Sequence, residues 1–260
     1  MDWGMQNRLS RIFNPKSGKT VMLAVDHGYF QGPTTGLKCP GETIKPLIEY
    51  ADALMLTRGI LRAQVSPQID KPIILRVSGG TSVLKDDLSG EDITVSMEDA
   101  IRLNVAAIAI SVFVGAPHEK ATLTNLAKLA DEGQKYGIPV LAVTAVGKEM
   151  GRDSRYLGLA SRIAAELGAH IVKTYYCEDF EKVSGCVPTP CVIAGGKKIG
   201  EMEALVMTKN AIDAGARGVD MGRNIFQSDS PVGMIKAVRS IVHDNYSVED
   251  AYKIYEAEKG

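Results

Sequence analysis

The chain has no apolar run near the ~20 residues needed to cross a bilayer as a helix. Its first residues, Met1-Asp2-Trp3-Gly4-Met5-Gln6-Asn7-Arg8, include no apolar segment of the secretory kind. A cytoplasmic chain with no membrane partner is therefore expected. Neither sign of charge dominates: 30 Lys and Arg stand against 31 Asp and Glu, a net charge of -1. A nucleic-acid partner would need a basic footprint, and none is present. Cysteine is scarce, and Cys39, Cys177, Cys186 and Cys191 include no C-x-x-C pair. Cys186 and Cys191 flank Val187-Pro188-Thr189-Pro190 with no histidine nearby to complete a zinc set. Reduced thiols, no metal and no permanently bound cofactor are expected. Cys177, just past an apolar run, is the one thiol placed to face a site. Linkers and low-complexity segments are missing too, so residues 1–260 read as a single domain. No G-x-G-x-x-G turn follows the first apolar run, which argues against an open dinucleotide-binding sheet.

The chain does contain eight short apolar runs. They cover residues 20–25, 53–56, 72–77, 106–113, 139–144, 170–174, 191–194 and 218–221. Runs of this kind suit parallel strands buried on both faces. Their ends fall near Asp26, Thr57, Ser78, Ser111, Thr144, Thr174, Gly195 and Gly222, about 20 to 33 residues apart, the spacing of repeated βα units. Helical periodicity occupies residues 41–50, 121–136, 155–167, 204–214 and 230–243. Ser96-Met97-Glu98-Asp99 starts a short helix with a capping-box-like pattern. Residues 1–20 read as a polar, turn-rich extension, residues 60–71 as a turn region, residues 80–95 as a polar connection, and residues 247–260 as a C-terminal helix. The pattern predicts an α/β fold, a closed (β/α)8 TIM barrel, with the open doubly wound sheet as runner-up.

In such a barrel the active site lies at the C-terminal ends of the strands. That rule gathers Asp26, His27, Arg58, Arg76, Ser78, Thr144, Lys173, Gly196 and Arg223 around one mouth. Lys173 is the focus, because an ammonium inside a short apolar run is costly unless it is paired or neutral. A neutral lysine amine attacks a ketone to give an imine, whose protonated form accepts the electron pair of a breaking C–C bond. Desolvation and a nearby cation such as Arg223 would favour that neutral form. Asp26 and His27 are the proton carriers expected beside it, and Arg58 and Thr144 the substrate contacts. Gly195, Gly196 and Lys197 after the seventh run, with Gly222 and Arg223 after the eighth, form glycine turns with a cation each, as a phosphate site requires. His118 and His243 read as solvated, and His170 as opening the sixth strand.

Several stretches carry a resemblance along essentially the whole chain. They are Asp2-Trp3-Gly4-Met5-Gln6, Asp26-His27-Gly28 with the run to Gly36, Thr57-Arg58-Gly59-Ile60-Leu61, Lys173-Thr174-Tyr175-Tyr176, Ile193-Ala194-Gly195-Gly196-Lys197-Lys198, and Val219-Asp220-Met221-Gly222-Arg223-Asn224 with the run to Asp229. Together they resemble the class I aldolases of the archaeal-type fructose-bisphosphate aldolase, DeoC-like group. Within it they are most similar to the thiolase branch of autoinducer-2 catabolism. The resemblance implies Lys173 as the residue of covalent chemistry and a phosphorylated C5 dione as substrate. It also implies acetyl transfer to coenzyme A as co-substrate, with dihydroxyacetone phosphate as the other product, and a homo-oligomer, often a decamer. Relatives carry a further segment ahead of Asp2-Trp3-Gly4-Met5, so a short start and a weaker oligomer contact are expected here.

Two other readings stand beside the thiolase. One is a Schiff-base aldolase on a sugar phosphate, of the fructose-bisphosphate or amino-dideoxy-heptulosonate-forming kind. The aldolases of the group place a tyrosine at the end of strand five, where this chain has Val143-Thr144-Ala145. The other is a non-catalytic sugar-phosphate-binding barrel, which would have no use for an imine-forming lysine. No coenzyme A motif stands in the sequence, so that acceptor rests on the resemblance.

Overall fold

The apolar runs form eight parallel strands, buried on both faces, and these close into a barrel. In this computed structural model, which describes residues 2–147 and 150–259, Met1, Lys148, Glu149 and Gly260 lie outside the described residues. The strands are β1 (Thr20–Ala24), β2 (Ala53–Thr57), β3 (Ile73–Arg76), β4 (Ala107–Val114), β5 (Val140–Val146), β6 (Ile171–Tyr175), β7 (Cys191–Ala194) and β8 (Gly218–Met221). They pair in chain order around a closed barrel, with β8 returning to β1. At that seam Gly218 pairs with Thr20, and a Cβ on Gly218 would stand 2.0 Å from the Thr20 carbonyl oxygen. Only glycine permits that approach.

Alternation along each strand separates two cores. Val21, Leu23, Leu54 and Leu56 point outward into the large layer between strands and helices. Met22, Met55, Ile74, Leu141, Ile171 and Val192 point inward and fill the lower barrel. Each buried side chain of this size contributes about 1.5–3 kcal/mol.

The helices are α1 (Trp3–Ile12), α2 (Gly28–Gln31), α3 (Pro40–Ile44), α4 (Arg58–Gln64), α5 (Met97–Arg102), α6 (Glu119–Tyr136), α7 (Ser154–Glu166), α8 (Phe180–Cys186), α9 (Glu201–Asp213), α10 (Arg223–Phe226), α11 (Pro231–Asp244) and α12 (Val248–Lys259). Their signals are local. Ser96 caps α5 by accepting from the Asp99 N–H, Gly137 ends α6 in the left-handed region, and Pro231 opens α11.

The structure departs from the sequence expectation in four places. The N-terminal extension contains α1, started by Asp2 Oδ1 accepting from Met5 N–H at 2.7 Å. Ile12 of this helix joins the inner core and closes the lower end of the barrel. Residues 41–50 do not form one helix: α3 ends at Ile44, Pro46 follows, and a 3-10 turn covers Ile48–Tyr50. The turn region 60–71 contains most of α4, which starts at Arg58, and the connection 80–95 folds back so that Ser78–Gly79 and Asp92–Ile93 pair as a small antiparallel hairpin over the mouth. No described helix is long and apolar enough to cross a membrane.

Candidate active site at the barrel mouth

The inner face of the strands turns from apolar to charged near their C-terminal ends. Val143, Lys173 and Val192 lie level across β5, β6 and β7, and Met22, Asp220 and Ala194 across β1, β8 and β7. Lys173 is 7% exposed and Asp220 1%, and Lys173 Nζ stands 2.9 Å from Asp220 Oδ2. The approach lies outside hydrogen-bond directions, so both Asp220 oxygens lack a hydrogen-bonded partner. Nζ also lies 3.9 Å above Met55 Sδ of the inner core. Burial pushes the Asp220 carboxyl above its usual range, further than Lys173 draws it down.

A second buried pair stands beside the first. Arg76 Nε donates to Asp26 Oδ2 at 2.9 Å, and Arg76 Nη1 to Ser111 Oγ at 2.8 Å. Burial alone would raise Asp26, but Arg76, then His27 and Lys173, outweigh it and hold the carboxyl below its usual range. The Arg76 guanidinium sits 5.0 Å from the Tyr29 ring centre. Tyr29 OH donates to Glu91 Oε1 at 2.6 Å, and Ser78 Oγ to Glu91 Oε2 at 2.6 Å. Glu91 therefore anchors the loop between β3 and α5 onto the mouth.

His27 is nearly buried, edge-on to Phe226, with its Nδ1 unpartnered and 3.9 Å from Asp26 Oδ1. Burial pushes its pKa down to about 4, against the upward pull of Asp26, with Lys173, Arg223 and Arg76 adding to the fall. At neutral pH the imidazole is uncharged and able to accept a proton. Burying four charges in one barrel top costs several kcal/mol per ion before pairing returns any of it. Such an arrangement is poor support for stability and typical of chemistry.

The glycine turns meet on the other side of the mouth. Gly195, Gly196, Lys197, Gly222 and Arg223 all line it, as do Asp26, His27, Thr144, Lys173 and Asp220. The backbone N–H groups of Gly196 and Lys197 have no acceptor among the described residues, and Arg223 Nε is buried without a partner. Donors without a protein acceptor, grouped on two glycine turns, are of the kind that can hold an anion. A Cβ on Gly222 would lie 2.2 Å from the Ala24 carbonyl oxygen and 2.6 Å from His27 Cε1, so the turn packs directly against the histidine. Arg152 also lines the mouth, its guanidinium 3.9 Å from the Tyr175 ring centre. The cavity holds ≈ 370 Å³. A larger one of ≈ 880 Å³ opens on the outer surface beside α3 and α4, but no buried charge converges on it, so the mouth is the candidate site.

Of the residues named from sequence, Lys173, Asp26, His27, Thr144 and the five turn residues come together. Thr144 Oγ1 donates to the Lys173 carbonyl at 3.2 Å, so it fixes the lysine's strand while facing the cavity. Arg58 is not brought in. As the first residue of α4 it turns outward, donating from Nη1 to Asp99 Oδ2 at 3.1 Å and from Nη2 to the Thr94 carbonyl at 3.2 Å. Arg62 and Arg102 bind the same carboxylate, and Arg76 supplies the cation in the mouth. His243 is also corrected: it is buried, with Nε2 2.7 Å from Asp52 Oδ2 and Nδ1 2.8 Å from Ser17 Oγ at the far end of the barrel. His118 is exposed, and His170 Nδ1 accepts from the Val140 N–H at 3.2 Å. Cys177 is buried outside the mouth, its thiol pushed up to about 11 by burial, then by nearby acidic groups. Sequence reasoning missed Asp220, Glu91 and Tyr29. Asp220 carried the signal that singled out Lys173, an ionisable residue within an apolar strand. No group of three His, Cys, Asp or Glu side chains suited to a metal occurs among the described residues.

Residues 20–228 match the DeoC/LacD family aldolase model. The chain is 59% identical over 260 residues to a 3-hydroxy-5-phosphonooxypentane-2,4-dione thiolase of Enterobacter sp. (strain 638), covering 100% of this chain and 88% of the relative. It is 58% identical to the protein of that name in Escherichia coli (strain K12 / DH10B), covering 100% and 89%. Among solved structures it is similar to a Schiff base forming fructose-1,6-bisphosphate aldolase, at 25% identity and TM-score 0.84, covering 92% of this chain and 99% of the other.

Proposed function

Since the chain belongs to the DeoC/LacD aldolase family, we propose that it is a thiolase that transfers the acetyl group of 3-hydroxy-5-phosphonooxypentane-2,4-dione to coenzyme A. The observation that carries this reading is the buried Lys173–Asp220 pair, 2.9 Å apart, in the same cavity as the unsatisfied donors of the two glycine turns. Full-length identity to proteins named for that activity supports the substrate. The name of the structural neighbour, a Schiff base forming aldolase, supports the covalent route.

In the proposed reaction the C5 phosphate occupies the turns at Gly196, Lys197 and Arg223. The C4 ketone condenses with the Lys173 amine and loses water, giving an imine that is protonated on nitrogen. The thiol adds to the C2 carbonyl while its proton passes to His27, which is neutral at working pH. The C2–C3 bond then breaks. Its electron pair moves into the iminium, giving an enamine, and C2 leaves as the acetyl thioester. A proton returns to C3, and water hydrolyses the imine to release dihydroxyacetone phosphate and regenerate the amine. Asp26, held ionised by Arg76, stabilises the positive charge that develops beside it. Val143, Thr144 and Ala145 offer no phenol at the end of β5, which disfavours an unmodified aldolase. The chain is read as a homo-oligomer, supported by Trp3, which is 79% exposed.

The test combines the purified protein with the phosphorylated dione, with and without coenzyme A, and follows acetyl-CoA and dihydroxyacetone phosphate. Equal formation of both only when coenzyme A is present is expected. Borohydride should trap a ketone adduct on Lys173, and Lys173→Ala and Lys173→Arg should abolish trapping and turnover, because a guanidinium cannot form the imine. Release of dihydroxyacetone phosphate at the same rate without coenzyme A would overturn the acyl transfer. Turnover with no adduct would overturn the covalent route.

A further inference from the structure

The two turns that line the phosphate side of the mouth follow different strands, β7 and β8, and neither is held by its own backbone alone. Between them lies Asn224, 0% exposed, the second residue of α10. Its Nδ2 donates to the Gly195 carbonyl at 2.6 Å, and its Oδ1 accepts from the Ile199 N–H at 2.9 Å. One carboxamide thus grips both ends of the turn from Gly195 to Ile199, while its own backbone continues directly from Arg223. The fit is close: a Cβ on Gly195 would lie 3.3 Å from Asn224 Nδ2 and 3.1 Å from Met221 Cγ.

Asn224 is fully buried and lies outside the lining of the mouth, so it does not itself touch substrate. What it fixes is the spacing between the free N–H groups of Gly196 and Lys197 on one turn and the unpartnered Arg223 Nε on the next. An anion held by donors from two separate loops gains from each only while their separation matches its size. We propose that Asn224 is a positioning residue for the phosphate site: it locks the β7 and β8 turns together so that they act as one anion cradle. The inference deepens the functional reading above and rests on it. It assigns Asn224 to recognition of the phosphorylated end of the substrate and to no bond-making step.

The test uses the Lys173 adduct as readout, with two ketones that differ only in the phosphate. Borohydride trapping of the full-length protein is titrated with dihydroxyacetone phosphate and with dihydroxyacetone. In Asn224→Ala the half-saturating concentration of the phosphorylated ketone should rise roughly tenfold or more, as the loss of a charged hydrogen bond implies. That of dihydroxyacetone should stay within about twofold of the unaltered chain. Asn224→Asp serves if the alanine variant fails to fold. It keeps the acceptor for Ile199 N–H and sets an oxygen against the Gly195 carbonyl, so the same split is expected. Equal changes for both ketones would mean a general structural role and overturn the proposal, as would no change for either. Failure of the functional reading looks different: the unaltered chain would then trap neither ketone.

Discussion

Lys173 and Asp220 meet across β7: one projects from β6 and the other from β8, and their charged groups lie 2.9 Å apart inside the barrel. The strand between them contributes only small or apolar side chains at that level, Val192 and Ala194. Among the described residues the lysine therefore has one anionic partner at contact distance, and that partner spends no hydrogen bond elsewhere. This relationship leads to the first prediction. Asp220→Asn keeps the volume and removes the charge. It should slow turnover by the ~10²–10⁴-fold typical of a lost acid–base group, while the affinity for inorganic phosphate, measured by titration, stays unchanged. An unaltered rate in this variant would leave the pair without a chemical role.

His27 gives a prediction in pH. Its folded pKa lies at about 4, below the 6.5 of a free imidazole, so an unfolded chain takes up the proton at higher pH than the native one. The stability it contributes is complete above about pH 6.5 and is lost as pH falls towards 4. The acid limb of kcat/KM assigned to His27 should accordingly lie near 4. His27→Gln should remove that limb and lower turnover. Titration of the imidazole by NMR near its ordinary value would contradict the burial that sets it.

Gly222 separates packing from charge in the phosphate turn. An added methyl would press on the Ala24 carbonyl and on His27 Cε1. Gly222→Ala should raise KM for the phosphorylated substrate and destabilise the protein by ~1–3 kcal/mol, the usual cost of overpacking. Denaturant unfolding and steady-state kinetics measure the two effects. Arg223→Ala should change KM with far less effect on stability.

Ser17, His243 and Asp52 form a hydrogen-bonded chain at the opposite end, with the residue types of a serine-hydrolase triad but the two ring nitrogens exchanged: Nδ1 faces Ser17 and Nε2 faces Asp52. There Asp52 also accepts from Val21 N–H at 2.7 Å and from Arg239 Nη1 at 2.8 Å, which ties β1 to α11. Burial would raise the Asp52 carboxyl, but the bonds from His243 and Arg239 outweigh it and hold it below its usual range. A depressed carboxyl stabilises above its unfolded pKa of about 3.9, and that stability is lost as pH falls through the folded value. Asp52→Ala should cost ~1–3 kcal/mol by leaving these donors unpaired, with kcat of the folded protein unchanged. A fall in kcat without a fall in stability would reverse the assignment.

Most of the barrel was legible because each strand is a short apolar run closed by glycine or polar residues. Cys191–Ala194 and Gly218–Met221 match the expected limits residue for residue. Lys173, Asp26, His27 and the glycine turns could be read for the same reason, since strand ends converge by construction. Arg58 could not. It follows a strand as directly as His27 follows Asp26, and only the direction of α4, with Asp99 waiting outside, turns it away. His243 and Asp52 are separated by 191 residues, and no local pattern announces such a pair. The helix α1 was hidden by its composition, because it buries few side chains and exposes Trp3.

That helix changes what the barrel is. With Ile12 set among the inner residues of the lower strands, the fold is a vessel with one rim. Everything that enters over Arg223 and Lys197 leaves the same way. In the proposed reaction the second reactant must then arrive while the first is bound, and neither product has a private exit. Traffic then acquires an order. In the proposed acyl transfer the thioester, which no covalent bond retains, departs first, and the three-carbon phosphate, attached through nitrogen, has to wait until water has taken its place at the lysine.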